Sequence, residues 1–179
     1  MRRSYFSTFE LLVLALFAAL VVTGNVALRL PVKLPGHSGV VWMAVLVTAR
    51  GVVPKLGAAA TVGLLSGLLA AFMGVGDKGG LDTFVSYAAA GAAVDLAVAC
   101  APPSALTSAV AGLAGNLAKL GVKVLLELWI GIPTGFLVAG RSFPAATHAV
   151  FGLAGGYLGY LVLGSLRRAG LFTYLAEKR

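Results

Sequence analysis

The sequence predicts an all-α, polytopic membrane protein: a single transmembrane domain over residues 1–179 with six transmembrane helices, the second of them short. Three observations predict this. Hydrophobic residues make up 59% of the 179-residue chain and charged residues 11%, whereas a soluble domain carries about 25% charged residues. Mean hydropathy is +0.96, and the apolar residues fall into runs separated by proline, glycine and charge. The 24 glycines and recurrent alanine runs suit helices that approach one another closely in lipid. Cys100 is the single cysteine, so an internal disulfide is excluded and a cysteine-built metal cluster has too few ligands. No cleavable signal peptide, no cofactor and no nucleic-acid partner is expected.

Met1 to Thr8 reads as a short basic leader, and Leu11 to Leu28 as a clean first span. Residues 29–38 form a polar entry containing Pro31, Lys33, Pro35, His37 and Ser38. Gly39 to Arg50 is a second segment of 12 residues, about 18 Å of helix at 1.5 Å per residue, too short to cross a hydrocarbon core of roughly 30 Å. The missing depth falls on residues 31–38. Polar non-helical backbone at membrane depth is tolerated only inside protein or along a water-filled cavity, so this stretch suggests a pocket. A third segment runs from Lys55 to Met73, long enough to span, followed by a glycine-rich loop with Asp77 and Lys78. Leu81 to Cys100 is the fourth segment, stopped by Pro102 and Pro103. Ser104 then serves as N-cap for a fifth, Ala105 to Trp129. Gly131 to Phe143 reads as a loop, Ala145 to Leu166 as the sixth segment, and residues 167–179 as a basic tail.

Six segments put both termini on one side. With the termini inside, Arg2, Arg3, Arg50, Lys55, Arg167, Arg168, Lys178 and Arg179 lie inside and Arg29, Lys33, Lys78 and Arg141 outside. The bias places both termini in the cytoplasm of a cell-membrane protein, and the pocket entry faces outward.

Asn116, Lys119, Lys123 and Glu127 are spaced three, four and four along the fifth segment, and so share one helical face. Ionisable groups within a span normally face a bundle interior or a cavity; the bland alternative is a Lys123–Glu127 pair with a snorkelling Lys119. His148 lies on the sixth segment, followed by Gly152, Gly155, Gly156 and Gly159, a close helix-packing face. Asp95 either bonds neighbouring hydroxyls or meets a partner, and Asp82 suits a helix N-terminus. Trp42 and Tyr87 are candidates for stacking against a substrate, with His37 and Ser86 nearby in the outer half. Ala15 and Ala19 form a small-xxx-small pair for internal packing or for docking another membrane protein.

The chain resembles a known family most closely from Gly39 to Gly91. The matching stretches are Gly39-Val-Val-Trp42, the turn Gly51-Val-Val-Pro-Lys-Leu-Gly-Ala-Ala-Ala60, the run Leu64-Leu-Ser-Gly-Leu-Leu-Ala-Ala-Phe-Met-Gly74, and Tyr87-Ala-Ala-Ala-Gly91. With the six-helix layout, these resemble a substrate-binding S component of an energy-coupling factor (ECF) transporter, nearest the subgroup for thiamine precursors such as hydroxymethylpyrimidine. The resemblance implies a vitamin-type substrate held near the outer surface, a transmembrane T component and two cytoplasmic ATPases as partners, and docking of the T component on a face like Ala15-xxx-Ala19. No Walker lysine motif is present, so ATP hydrolysis belongs to partners.

A rival reading is enzymatic. Gly36-His-Ser-Gly39 is similar to the nucleophile motif of rhomboid proteases, and His148 before spaced glycines to their histidine helix; Ser38 and His148 would form the dyad. Ser38 precedes the second segment here rather than lying on a fourth core span, and three segments intervene before His148. A non-transporting scaffold is a third reading, which leaves the lysine stripe unexplained. The expected function is therefore capture of a small water-soluble vitamin or precursor, without covalent chemistry, at a site comprising Lys119, Asn116, Lys123, Glu127, Trp42, His37, Ser86, Tyr87 and His148.

The topology has a direct test. In a variant whose Cys100 is replaced, a cysteine at Lys78 should react with an impermeant maleimide on intact cells, and one beside Arg179 should react only after permeabilisation. Surface labelling at the C-terminus would invert the assignment.

Overall fold

The computed structural model describes residues 5–27, 34–75 and 80–170. Within them the chain forms six helices: α1 (Thr8–Ala27), α2 (Gly39–Val52), α3 (Ala58–Phe72), α4 (Gly80–Ala99), α5 (Ala105–Trp129) and α6 (Thr134–Arg168). No strand occurs among the described residues. Arg2, Arg3, Arg29, Pro31, Lys33, Asp77, Lys78, Lys178 and Arg179 lie outside them, and with them half of the polar entry and most of the tail.

Four helices, α1, α4, α5 and α6, are long and apolar enough to cross a membrane. The other two are shorter: α2 has 14 residues and α3 has 15. The brevity of α2 matches the sequence reading. That of α3 does not, because the span expected from Lys55 to Met73 is cut at its start. Pro54 and a left-handed Gly57 (φ +89°) turn the chain there, leaving a helix about 22 Å long.

The start of α1 carries a cap inside what reads as leader. Ser7 Oγ accepts from the Glu10 N–H (3.2 Å) and Glu10 Oε2 accepts from the Ser7 N–H (2.9 Å), a reciprocal capping box. Lys55 Nζ donates to the same carboxylate oxygen (2.6 Å) and to Tyr5 O (2.9 Å), tying this cap to the α2–α3 turn. At α5, Ser104 is the expected N-cap, its Oγ accepting from the Thr107 N–H at 3.1 Å. The C-terminus of α5 closes in a Schellman arrangement: Gly131 has φ +89°, Ile132 N–H reaches Glu127 O and Gly131 N–H reaches Leu128 O.

The largest correction concerns residues 134–143. Their glycines and flanking prolines read as a loop, yet they form the first turns of α6, with Pro144 inside the helix. Proline removes a backbone donor and crowds the preceding turn. Side chains just beyond it occupy local carbonyls: Thr147 Oγ1 donates to Phe143 O and Pro144 O, and His148 Nδ1 donates to Pro144 O (2.8 Å).

Glycine sets the helix spacing. A Cβ on Gly112 would lie 2.6 Å from Gly156 N, and one on Gly152 would lie 2.7 Å from Gly112 O, so α5 and α6 meet backbone to backbone. On the other side of α6, a Cβ on Gly155 would fall 2.6 Å from Val40 O and one on Gly159 2.8 Å from Ala44 O, which seats α2. Gly63 of α3 faces Gly91 of α4 in the same manner. The core built around this spacing includes Leu14, Val21, Trp42, Met43, Leu46, Val62 and Val94. Lys55 meets Glu10, and a Cβ added at Gly51 would run into the Leu163 side chain. The start of α1 and the end of α6 therefore share one end of the bundle, the terminal end.

The glycine stripe predicts a contrast. Gly156→Val drives a side chain into Ser108 O and Ala109 Cα, the latter 2.9 Å from an added Cβ, and should destabilise the bundle by about 1–3 kcal/mol or more. Gly121→Ala, whose added Cβ meets nothing within 4 Å, should be neutral or mildly stabilising. Thermal unfolding of both variants in one detergent checks the pair.

Candidate functional site

At the end opposite the termini, three helices bring an aromatic pair and a cation together. Trp42 lies one turn into α2 and Tyr87 two turns into α4; their ring centroids are 4.6 Å apart with a tilt of 31°. Lys119 of α5 places Nζ 4.9 Å from the Trp42 ring and 5.7 Å from the Tyr87 ring. A cation over aromatic faces gains about 0.5–2 kcal/mol, more as water is excluded, and Trp42 and Tyr87 are both buried. The last turn of α1 joins the group, since Asn25 Nδ2 donates to the Tyr87 hydroxyl at 2.5 Å.

Beside this stack lies a second polar group. Asn116, fully buried, donates from Nδ2 to His148 O on α6 at 2.8 Å. Gly39 packs directly on its amide, where a Cβ would lie 2.6 Å from Asn116 Cγ. Gly36, at φ +78°, is pressed on His148, and a Cβ there would fall 2.7 Å from Nδ1. A side chain at either glycine would lift the turn off α5 and α6. The segment from Leu34 to Gly39 thus closes over Asn116 and His148 through two glycines rather than through its polar side chains. His37, partly exposed, donates from Nδ1 to Leu34 O within that turn (2.6 Å).

Two buried side-chain atoms here have no hydrogen-bond partner among the described residues: Trp42 Nε1, a donor, and Asn116 Oδ1, an acceptor. Buried polar groups are nearly always paired, by protein or by ordered water. A donor and an acceptor beside an aromatic face and a cation suit the recognition of a small polar ring, with stacking for affinity and polar groups for orientation.

The remaining site residues are distributed more widely. Ser86 is buried and its Oγ donates along its own helix to Asp82 Oδ1 (3.4 Å). Glu127 is gripped by Arg141 of α6, whose Nε donates to Oε2 at 3.2 Å while Nη2 meets Oε1. Arg141 reads in sequence as part of an outer loop; the extension of α6 brings it within reach. Lys123 is partly buried on the same side of α5. Ala15 and Ala19 are exposed, whereas Leu14, Ala18, Val21 and Val22 form the inward face of α1. Asp95 neither bonds a hydroxyl nor stands open to a partner. It caps α3 through the Ala60 N–H (2.7 Å) and lies 2.9 Å from Arg50 Nε.

Ser38 and His148 make no hydrogen bond to each other; Ser38 occupies the N-cap position of α2 without a side-chain bond, and His148 Nδ1 is committed to Pro144 O. Among the described residues no cluster of three or more His, Cys, Asp or Glu could hold a metal ion. Sequence reasoning missed Asn25 and Arg141. The first was visible as an amide near the end of an apolar run, the second as an isolated cation. No family model, curated protein or solved structure is matched by this chain.

Proposed function

We propose that this chain is the substrate-capturing subunit of an importer of the energy-coupling factor type, taking a small water-soluble vitamin or vitamin precursor at the outer face of the cell membrane. One observation carries the reading: Lys119 lies over the Trp42–Tyr87 pair, beside a buried donor and acceptor without a partner among the described residues. An ionised lysine in a membrane span costs about 3 kcal/mol on insertion scales, and a scaffold needs neither that cation nor the unpaired polar atoms. A ring-shaped substrate seated here would stack on the aromatics, accept from Trp42 Nε1 and Lys119, and donate to Asn116 Oδ1. In this reading both termini are cytoplasmic, the T component docks on the exposed Ala15/Ala19 face of α1, and two ATPases act through it. The outward position of those alanines favours docking over internal packing. A serine–histidine protease gains no support from the placement of Ser38.

Mass spectrometry of small molecules carried through purification should recover a ring compound of this chemistry. With that ligand in hand, Lys119→Met keeps length and apolar volume while removing the charge. Loss of one charge-assisted hydrogen bond, about 1.5–3 kcal/mol, corresponds to a roughly ten- to more than hundred-fold rise in Kd. Unchanged affinity in a folded variant would remove Lys119 from the site.

Docking is tested separately. Ala19→Phe should abolish uptake in cells that carry the partner subunits while leaving ligand affinity intact. Joint loss of uptake and binding would show instead that the face serves the fold.

A further inference from the structure

A cavity lies at the terminal end, far from the aromatic stack and unused by the reading above. It has a volume of about 100 Å³, space for several waters and hence for one compact tetrahedral group. Its walls include Arg50 of α2, Ser108 at the start of α5, and Tyr160 and Arg167 of α6, over an apolar floor of Val47 and Leu163. Among the described residues no carboxylate lines it.

Arg50 is the informative residue. Its side chain is only 12% exposed, and Asp95 is its single ionic partner among the described residues. That contact, 2.9 Å from Nε to Oδ1, is off-axis, leaving Nε and Oδ1 without a true hydrogen bond. Asp95 also spends Oδ2 on the Ala60 N–H. A guanidinium carries five N–H donors, and the terminal nitrogens of Arg50 bond to nothing among the described residues. A buried, under-bonded guanidinium is costly unless an anion completes it. The Ser108 and Tyr160 hydroxyls are likewise without described hydrogen bonds. The first turn of α5, with its positive dipole end, reaches the same wall through Thr107 and Ser108.

We propose that this cavity is a binding site for a phosphate group, held by the terminal nitrogens of Arg50 and by Arg167, with Ser108 and Tyr160 donating to the remaining oxygens. Planar donor forks match phosphate oxygens two at a time. Two sources supply this chemistry at a membrane surface: the headgroup of an anionic phospholipid, for which basic pockets between helices are suited, and a soluble phosphate. The proposal does not depend on the outer-site reading, and failure of either leaves the other standing.

The test uses the full chain, delipidated in a neutral detergent, with three probes: phosphatidylglycerol, phosphatidylcholine and inorganic phosphate. Binding is read by native mass spectrometry and by the shift in unfolding temperature. Phosphatidylglycerol should bind and stabilise, phosphatidylcholine should do so far less, and Arg167→Gln should weaken the retained lipid about ten-fold or more. Arg167 is exposed on the last turn of α6, so this variant should fold. Arg50→Lys, which keeps the charge opposite Asp95 but loses the fork, should weaken it too. Stabilisation by phosphatidylglycerol alone assigns the site to lipid; stabilisation by inorganic phosphate alone, lost in the same variants, assigns it to a soluble anion. Equal binding of both lipids, no binding of any probe, or binding undiminished in both arginine variants overturns the proposal.

Discussion

Helix α2 is enclosed by the rest of the bundle, and that enclosure governs the structure. Every residue from Trp42 to Ala49 is buried, so α2 needs close neighbours on all sides. In lipid such closeness comes from packing between backbones, because there is no apolar surface to hide from water. Gly155 and Gly159 of α6 supply it on one flank, and Gly115 of α5 presses on Met43 on another. Both polar neighbourhoods are indexed to this one helix. Gly39 and Trp42 carry the aromatic site at its start, and Arg50 carries the anion cavity at its end. A shift of α2 along its axis would disturb both at once.

Among the described residues, three ion pairs fix the elements around it. Glu10 with Lys55 ties α1 to the α2–α3 turn, Arg50 with Asp95 ties α2 to α4, and Glu127 with Arg141 ties α5 to α6. Each carboxylate in these pairs is largely buried. Charges removed from water gain stability only when geometry and further hydrogen bonds compensate. Glu10 meets that condition, capping α1 with the oxygen that pairs with Lys55, whereas Asp95 caps α3 through Oδ2 and leaves Oδ1 off-axis to Arg50. These two carboxylates therefore set helix starts and helix neighbours together, a coupling that a spacing pattern in one segment does not reveal.

Where local chemistry decides, the sequence is easily read. The Ser104 cap, the bounds of α5, the short α2 and the packing role of the α6 glycines all follow from residues within a few positions of one another. Lys119, Trp42 and Tyr87, singled out separately, come together in the structure. Reading fails where a distant residue changes the outcome. Residues 134–143 carry turn signals, but Arg141 finds Glu127 across the helix pair, and Thr147 and His148 serve carbonyls around Pro144. Glu127 has a lysine four residues earlier, so the arginine that grips it was not evident from one helix. Asn25 meets Tyr87 across 62 positions, a contact that periodicity does not encode.

Placed in a bilayer, the short α3 would act on the lipid around it. Unlike α2, α3 turns a side outward, with Leu64, Leu68, Leu69 and Phe72 exposed. A helix about 22 Å long bordering a hydrocarbon layer of about 30 Å leaves a shortfall along one flank only. Lipid meets such a mismatch by thinning, at a cost of fractions of a kcal/mol per Å. The opposite flank, built from the long α5 and α6, imposes no such demand. In a bilayer the bundle would thus present a thin side and a thick side, and a membrane whose thickness varies from place to place would exert a torque on it, tilting it toward the position where both sides are matched.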